Sequence, residues 1–329
     1  MTQLTVIGAG AWGTALAAVA HRAGSRAILW ARDPAIADGI NTRHENPVYL
    51  PGIPLDPAIR ATANAAAALS EAEAVLAVVP AQFLREVLAG FAPHLSPGLP
   101  LLLCAKGIET GSLKTMSELA AALAPHNPIA VLSGPSFAAE VARDLPTAVT
   151  IASRDAATAE LFAAALGGRR FRPYLSADPV GVEIGGAVKN VLAIACGIVD
   201  GLGLGDNARA ALITRGLAEM TRLGIAKGAR PETFAGLSGL GDLVLTCGGA
   251  QSRNHTLGVS LGRGQSLSEA LAGRRSVVEG VASAAAVGAL AAKHGVEMPI
   301  VDAVDAVLHR DMAIAPMIEG LLARPRRAE

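Results

Sequence analysis

From Ile184 to Val199 the chain is apolar or small except for one charged side chain, Lys189, within the run IGGAVKN. An ammonium group among aliphatic neighbours is costly unless it is paired or works as a neutral amine. The residue type matters. Only five of the 28 basic residues are lysines, and lysine, unlike arginine, can lose its proton near neutral pH when desolvated. Lys106 in LLLCAKGIE follows an apolar strand-like run, at the end of a strand where open α/β sheets bind ligands. VLSGPSFAAE places Ser133, Gly134 and Ser136 after another such run, and LSGLGDLVLTC sets Asp242 and Thr246 at a glycine-rich turn. QSRNHTLG offers Ser252, Arg253, Asn254 and His255 in a row. Taken singly, these read as a strand-end lysine, a helix cap at Ser136, a turn aspartate and a polar loop. Together they are the groups a nicotinamide dehydrogenase acting on a phosphorylated carbonyl compound would need as proton donor and phosphate clamp. Lys189 can protonate a developing alkoxide, with Asp242 limiting the fall of its pKa. Arg253 and Asn254 provide the planar cation and amide donors a phosphate needs.

A second motif supplies the reductant's place. Gly8-Ala9-Gly10-Ala11-Trp12-Gly13 fits G-x-G-x-x-G, follows LTVI and opens TALAAVAHRA. In a strand-to-helix context, such glycines permit the tight turn, let backbone amides approach a pyrophosphate, and let helix and strand pack closely. The helix N-terminus then faces the negative charge. The alternative is a plain strand-to-helix turn; the dinucleotide reading makes NAD(P) the expected cofactor. In LWARDP, Asp33 reads either as a ribose ligand, which favours NAD, or as an N-cap followed by Pro at the first helical position. The cap reading leaves Arg32 to meet a 2′-phosphate and leans the preference to NADP.

These groups need a scaffold to hold them. Strands are expected at residues 4–7, 27–30, 59–63, 74–79, 101–104, 129–132, 148–151 and 171–174, separated by helical segments such as 81–91 and 156–166. Continuous buried strands alternating with helices predict an α/β fold with a parallel, doubly wound, Rossmann-type sheet. From about residue 178 the strand signal fades into helices at 178–199, 207–227, 267–272 and 281–293. The expected organisation is a dinucleotide-binding domain at 1–177 and an all-helical, substrate-binding domain at 178–329. The end RPRRAE reads as a solvated tail.

Composition narrows the classes of partner. The 28 basic and 28 acidic residues balance, so neither nucleic acid nor an anionic membrane is expected. Cys104, Cys196 and Cys247 are an odd number at wide spacing, which predicts no structural zinc and a reducing, cytoplasmic setting. The uncharged start of the chain lacks a basic segment and is punctuated by glycines, unlike a signal peptide. The apolar stretch 184–199 is 16 residues long, short of the roughly 20 a membrane-spanning helix needs.

The blocks GAGAWGTALA, CAKGIE, LSGPSFAAEV, GGAVKNVLAIACGIVDGLGLGDNARAALITRG, GLSGLGDLVLTC, SRNHTLG and VVEG resemble, in order, those of the bacterial-type NAD(P)-dependent glycerol-3-phosphate dehydrogenases. They span residues 8–280. The resemblance implies reversible reduction of dihydroxyacetone phosphate to sn-glycerol 3-phosphate, feeding glycerophospholipid synthesis, by a homodimer. It implies that Lys189 is the proton donor and acceptor, with Lys106, Asn190, Asp242 and Thr246 around the reacting carbon. Gly134, Ser136, Ser252, Arg253 and Asn254 would contact the substrate. Gly8, Gly10, Ala11, Trp12, Gly13, Arg32, Lys106, Ala138, Arg253, Val277 and Glu279 would contact the cofactor. Two other readings remain: a β-hydroxyacid or 6-phosphogluconate-type dehydrogenase, in which the lysine and asparagine are separated, and a dinucleotide-sensing protein without catalysis.

Overall fold

Residues 2–273 and 277–325 are described by a computed structural model of the chain. The last residues of the RPRRAE tail, 326–329, therefore lie outside the described residues. Ten strands follow in chain order: β1 (Gln3–Ile7), β2 (Arg26–Trp30), β3 (Glu45–Asn46), β4 (Leu50–Pro54), β5 (Arg60–Thr62), β6 (Ala74–Ala77), β7 (Leu101–Leu103), β8 (Ile129–Ser133), β9 (Thr147–Ala152) and β10 (Phe171–Ser176). Eight of them form one sheet in the order β10-β9-β8-β7-β6-β1-β2-β5, and these coincide with the eight strands expected from the sequence.

Alternation within the strands builds a core on each face of this sheet. Leu4 and Val6 of β1, Leu76 of β6 and Leu102 of β7 pack into one cluster, with the helix Ala11–Arg22. Ile7, Val75, Ala77, Leu101 and Leu103 pack into the other, with the helices Leu84–Phe91 and Met116–Leu123. Burial on both faces is why β6 and β7 read as unbroken apolar runs. The order of strands reverses beside β1, whose neighbours are β2 and β6, so a ligand crevice opens at their carboxyl ends.

Two details depart from the expected parallel sheet. β9 runs antiparallel to β8 and parallel to β10, so the last two strands oppose the other six. The residues joining β8 to β9 contain only the short helix Ala138–Ala142 and do not cross back over the sheet. An apolar run shows burial but not strand direction, which hid the reversal from the sequence. The hairpin of β3 and β4 was also unanticipated, because LPGIP carries prolines and a glycine in place of a strand pattern.

After β10 the described chain is helical, and its centre is the helix Pro179–Gly201. Asp178 caps it, accepting from Gly181 N at 2.9 Å, and Pro179 occupies the first turn. Asp178 also accepts from Arg230 N and Thr233 Oγ1, tying the start of this helix to a neighbouring turn. Every residue from Gly181 to Val199 is buried, as expected of a helix apolar on all sides. At 23 residues it is long and apolar enough to cross a membrane, contrary to the shorter stretch counted in the sequence, yet it is enclosed by the protein itself.

Candidate active site

The central helix brings its lysine against the turn that carries Asp242. Lys189 Nζ donates to Asp242 Oδ1 at 2.6 Å and to Thr246 Oγ1 at 2.9 Å. Thr246, one turn after Asp242 in the helix Asp242–Gly248, passes its own hydrogen to the Asp242 carbonyl. From the sheet side, Lys106 Nζ donates to Asp242 Oδ2 at 2.8 Å and to Gly134 O at 3.0 Å. One carboxylate thus bridges two ammonium groups from opposite halves of the chain. The Lys189 side chain is 8 % exposed and that of Asp242 1 %, which rules out a lysine reaching along the surface to water.

Charge explains the protonation states. Burial works against ionisation of Asp242, but the two lysines outweigh it and hold the carboxyl below its ordinary value. Lys189 is pushed down to about 8, first by burial and further by the Lys106 charge, with Asp242 opposing the fall. These directions are compatible. Asp242 is stabilised by two cations, whereas each lysine has a share of one anion and the repulsion of the other lysine.

Asparagines extend the cluster. Asn190 Nδ2 donates to the Lys106 carbonyl at 3.0 Å, and Asn254 Nδ2 donates to Asn190 Oδ1 at 2.9 Å. Asn254 Oδ1 accepts from Gly280 N at 2.9 Å, next to Glu279. Glu279 Oε1 accepts from Ala81 N at 3.2 Å. Burial raises its pKa, opposed by that bond and by the charges of Arg253, Lys189 and Lys106. Lys106, Gly134, Asn190, Lys189, Asp242, Thr246, Asn254 and Glu279 therefore lie in one connected cluster. Ser136 also joins, donating to Gly134 O at 2.9 Å, and is not the helix cap it resembled.

QSRNHTLG is not a polar loop. Ser252 caps the helix Arg253–Gly262 by accepting from His255 N, and Arg253 stands exposed at its first position. His255 turns away from the cluster to Asp200, with Nε2 and Oδ2 2.7 Å apart. This helix lies close to the central one because glycines face each other. A Cβ on Gly258 would stand 2.1 Å from Ile194 O, and one on Gly197 2.1 Å from His255 O. The glycines before Lys189 act similarly. A Cβ on Gly185 would meet Ser238 O at 2.4 Å, in the turn leading to Asp242, and one on Gly186 would meet Ser133 Oγ at 3.0 Å and Lys106 Cγ at 3.4 Å.

The glycine-rich turn fits a dinucleotide. Gly8 has φ +115°, a conformation that favours glycine, and its Cβ would strike Val78 O. A Cβ on Gly13 would strike Gly8 O, whereas Gly10 faces open space where a pyrophosphate could approach. The helix Ala11–Arg22 has no side-chain cap and no acid in its first turn, leaving its amides for an anion. The Trp12 Nε1 is buried without a partner among the described residues. Asp33 is the cap of the next helix, accepting from Ala35 N at 2.9 Å, and Arg32 beside it is exposed. Ala138 opens the helix Ala138–Ala142, and Val277 is exposed. The sequence reading missed Asn46, fully buried, which donates to Ala9 O at 2.9 Å and Thr14 Oγ1 at 2.8 Å and so braces this turn. No sequence signal marks it, because the hairpin that carries it has no regular pattern.

A Rossmann-type sheet with a dinucleotide turn, facing a buried lysine and carboxylate on a helical half, defines a nicotinamide-dependent dehydrogenase. Models of the NAD-dependent glycerol-3-phosphate dehydrogenase N-terminus and C-terminus match residues 3–159 and 178–319. A glycerol-3-phosphate dehydrogenase [NAD(P)+] of Rhodospirillum rubrum is 61 % identical, covering 99 % of this chain and 94 % of that protein. One from Caulobacter vibrioides is 60 % identical, with 99 % and 98 % covered. The crystal structure of a glycerol-3-phosphate dehydrogenase from Coxiella burnetii, 42 % identical, superposes with a TM-score of 0.94 over 98 % of this chain and 99 % of that one. The chain belongs to the NAD-dependent glycerol-3-phosphate dehydrogenase family. The expected oxidoreductase, NAD(P) cofactor and Rossmann-type fold with a helical second half are borne out.

Proposed function

We propose that the protein reversibly reduces dihydroxyacetone phosphate to sn-glycerol 3-phosphate with NAD(P)H. The observation that carries this reading is the Lys106–Asp242–Lys189 bridge beside the helix that begins with Arg253 and Asn254. NAD(P)H supplies the hydride, and Gly8, Gly10, Ala11, Trp12, Gly13, Arg32, Ala138, Val277 and Glu279 would hold it, with Lys106 and Arg253 at its border with the substrate. Arg253 and Asn254 bind the phosphate, with Ser252, Gly134 and Ser136 alongside. Lys106 polarises the C2 carbonyl. Lys189 gives its proton to the C2 oxygen during reduction and takes one back in the reverse direction. Two N–H groups of Lys189 are occupied by Asp242 and Thr246, and the third is available to that oxygen. Asp242, Asn190 and Thr246 keep both lysines aimed.

The division at 177/178 is supported by the sheet's end at Ser176 and the central helix's start at Pro179. A preference for NADP is supported by Arg32 being exposed while Asp33 is engaged as a cap. A cytoplasmic location is supported by three buried, free cysteines. The homodimer and the supply of phospholipid backbones rest on the family resemblance. Purified protein mixed with dihydroxyacetone phosphate and either NADPH or NADH should consume nicotinamide absorbance, faster with NADPH. Flat traces with both cofactors would overturn the reaction.

A further inference from the structure

We propose that Glu183 is a positioning residue for Lys106, holding from the central helix the far end of the segment whose near end carries that ammonium. The inference rests on the reading above, in which Lys106 acts on the substrate. Glu183 precedes the apolar run around Lys189 and is 7 % exposed. Its Oε1 accepts from Ser117 N at 2.7 Å and its Oε2 from Ser117 Oγ at 2.5 Å. Ser117 lies in the first turn of the helix Met116–Leu123.

Three positions on one face of the central helix meet this segment. Glu183, Gly186 and Asn190 are spaced i, i+3, i+7 and so lie in a row about 10 Å long. Glu183 takes Ser117, Gly186 leaves room for the Lys106 stem, and Asn190 takes the Lys106 carbonyl. Between these ends the chain closes on itself. Ile108 and Thr115 form an antiparallel bridge, Glu109 N donates to Lys114 O, and Gln82 Nε2 donates to Ile108 O at 2.8 Å. A displacement at Ser117 is therefore passed through Thr115 and Ile108 to a residue two positions from Lys106.

The buried carboxylate is an expensive way to make this contact. Burial pushes Glu183 up to about 7, against the bonds from Ser117 and Thr115, and the neighbouring Glu118 pushes it further. Glu118 itself is tied to Lys227 at 2.5 Å and to Thr115 N. A folded-state pKa above that of an ordinary glutamate means this contribution to stability is lost as pH rises through about 7. A glutamine would keep an acceptor for Ser117 N and offer a donor to Ser117 Oγ without that cost.

The test compares Glu183→Ala, Glu183→Gln, Ser117→Ala and Lys106→Met in the full chain at pH 8, well below their melting temperatures. Glu183→Ala should lower kcat/KM for dihydroxyacetone phosphate about tenfold, the scale of a lost charge-assisted bond, with the NADPH dissociation constant unchanged. Glu183→Gln should restore kcat/KM and melt at or above the wild-type temperature. Ser117→Ala should show a smaller loss in the same direction, and reads the same contact if Glu183→Ala does not fold. Wild-type kcat/KM in both Glu183→Ala and Ser117→Ala, with a large loss in Lys106→Met, would overturn the role of Glu183 alone. Unchanged kinetics in Lys106→Met would overturn the reading of Lys106 and this inference with it.

Discussion

Burial does most to bring the Lys189 amine down to about 8, the Lys106 charge lowers it further, and the Asp242 carboxylate that both lysines share opposes the fall. In the proposed reaction reduction uses protonated Lys189, so kcat/KM for dihydroxyacetone phosphate should fall as pH rises through about 8. Oxidation of sn-glycerol 3-phosphate needs the neutral amine and should rise through the same range. Profiles measured in both directions should mirror each other; limbs of the same sign would place another group in control. Arg253, at the start of its helix, is proposed to hold the phosphate. Arg253→Ala should raise KM for the phosphorylated ketone about 10- to 100-fold, the scale of lost bonds between charged groups, with a much smaller change in kcat. Steady-state kinetics that left this KM unchanged would remove Arg253 from the phosphate site.

The elements that aim these residues are held by glycines. Gly197 and Gly201 of the central helix face Gly258 and Gly262 of the helix behind Arg253 and Asn254, backbone against backbone. Gly258→Ala would force the second helix outward and pull Asn254 from Asn190. It should cost about 1–3 kcal/mol of stability in a denaturant titration and weaken substrate binding as well. Little of this was legible in the sequence. GAGAWG stood out because strand, glycines and helix occur in a fixed local order, and Lys189 because burial shows as an apolar run around one charge. Arg253–Gly262 was harder to read, since its small and polar residues carry no apolar stripe and its packing surface is glycine. Asn46 and Glu183 were missed for a different reason: their partners, Ala9 and Ser117, lie 37 and 66 residues away. The reversal of β9 also leaves no trace in composition.

At the scale of the whole molecule, each half supplies what the other lacks. The segments after β7 and β8 bring Lys106 and Gly134 to one side of the site, and the helical half provides Lys189, Asp242 and Asn254 on the other. The Lys106–Asp242 and Asn190–Lys106 contacts cross between them and join the two halves at the site. In the proposed reaction Lys189 exchanges the proton at the substrate oxygen. Lys189→Met keeps an unbranched apolar chain in place of the lysine stem and removes the amine. Turnover of dihydroxyacetone phosphate by that variant should drop about 10²- to 10⁴-fold, with NADPH binding measured by fluorescence titration nearly unchanged. Turnover close to wild type in a folded Lys189→Met protein would remove Lys189 from the proton transfer.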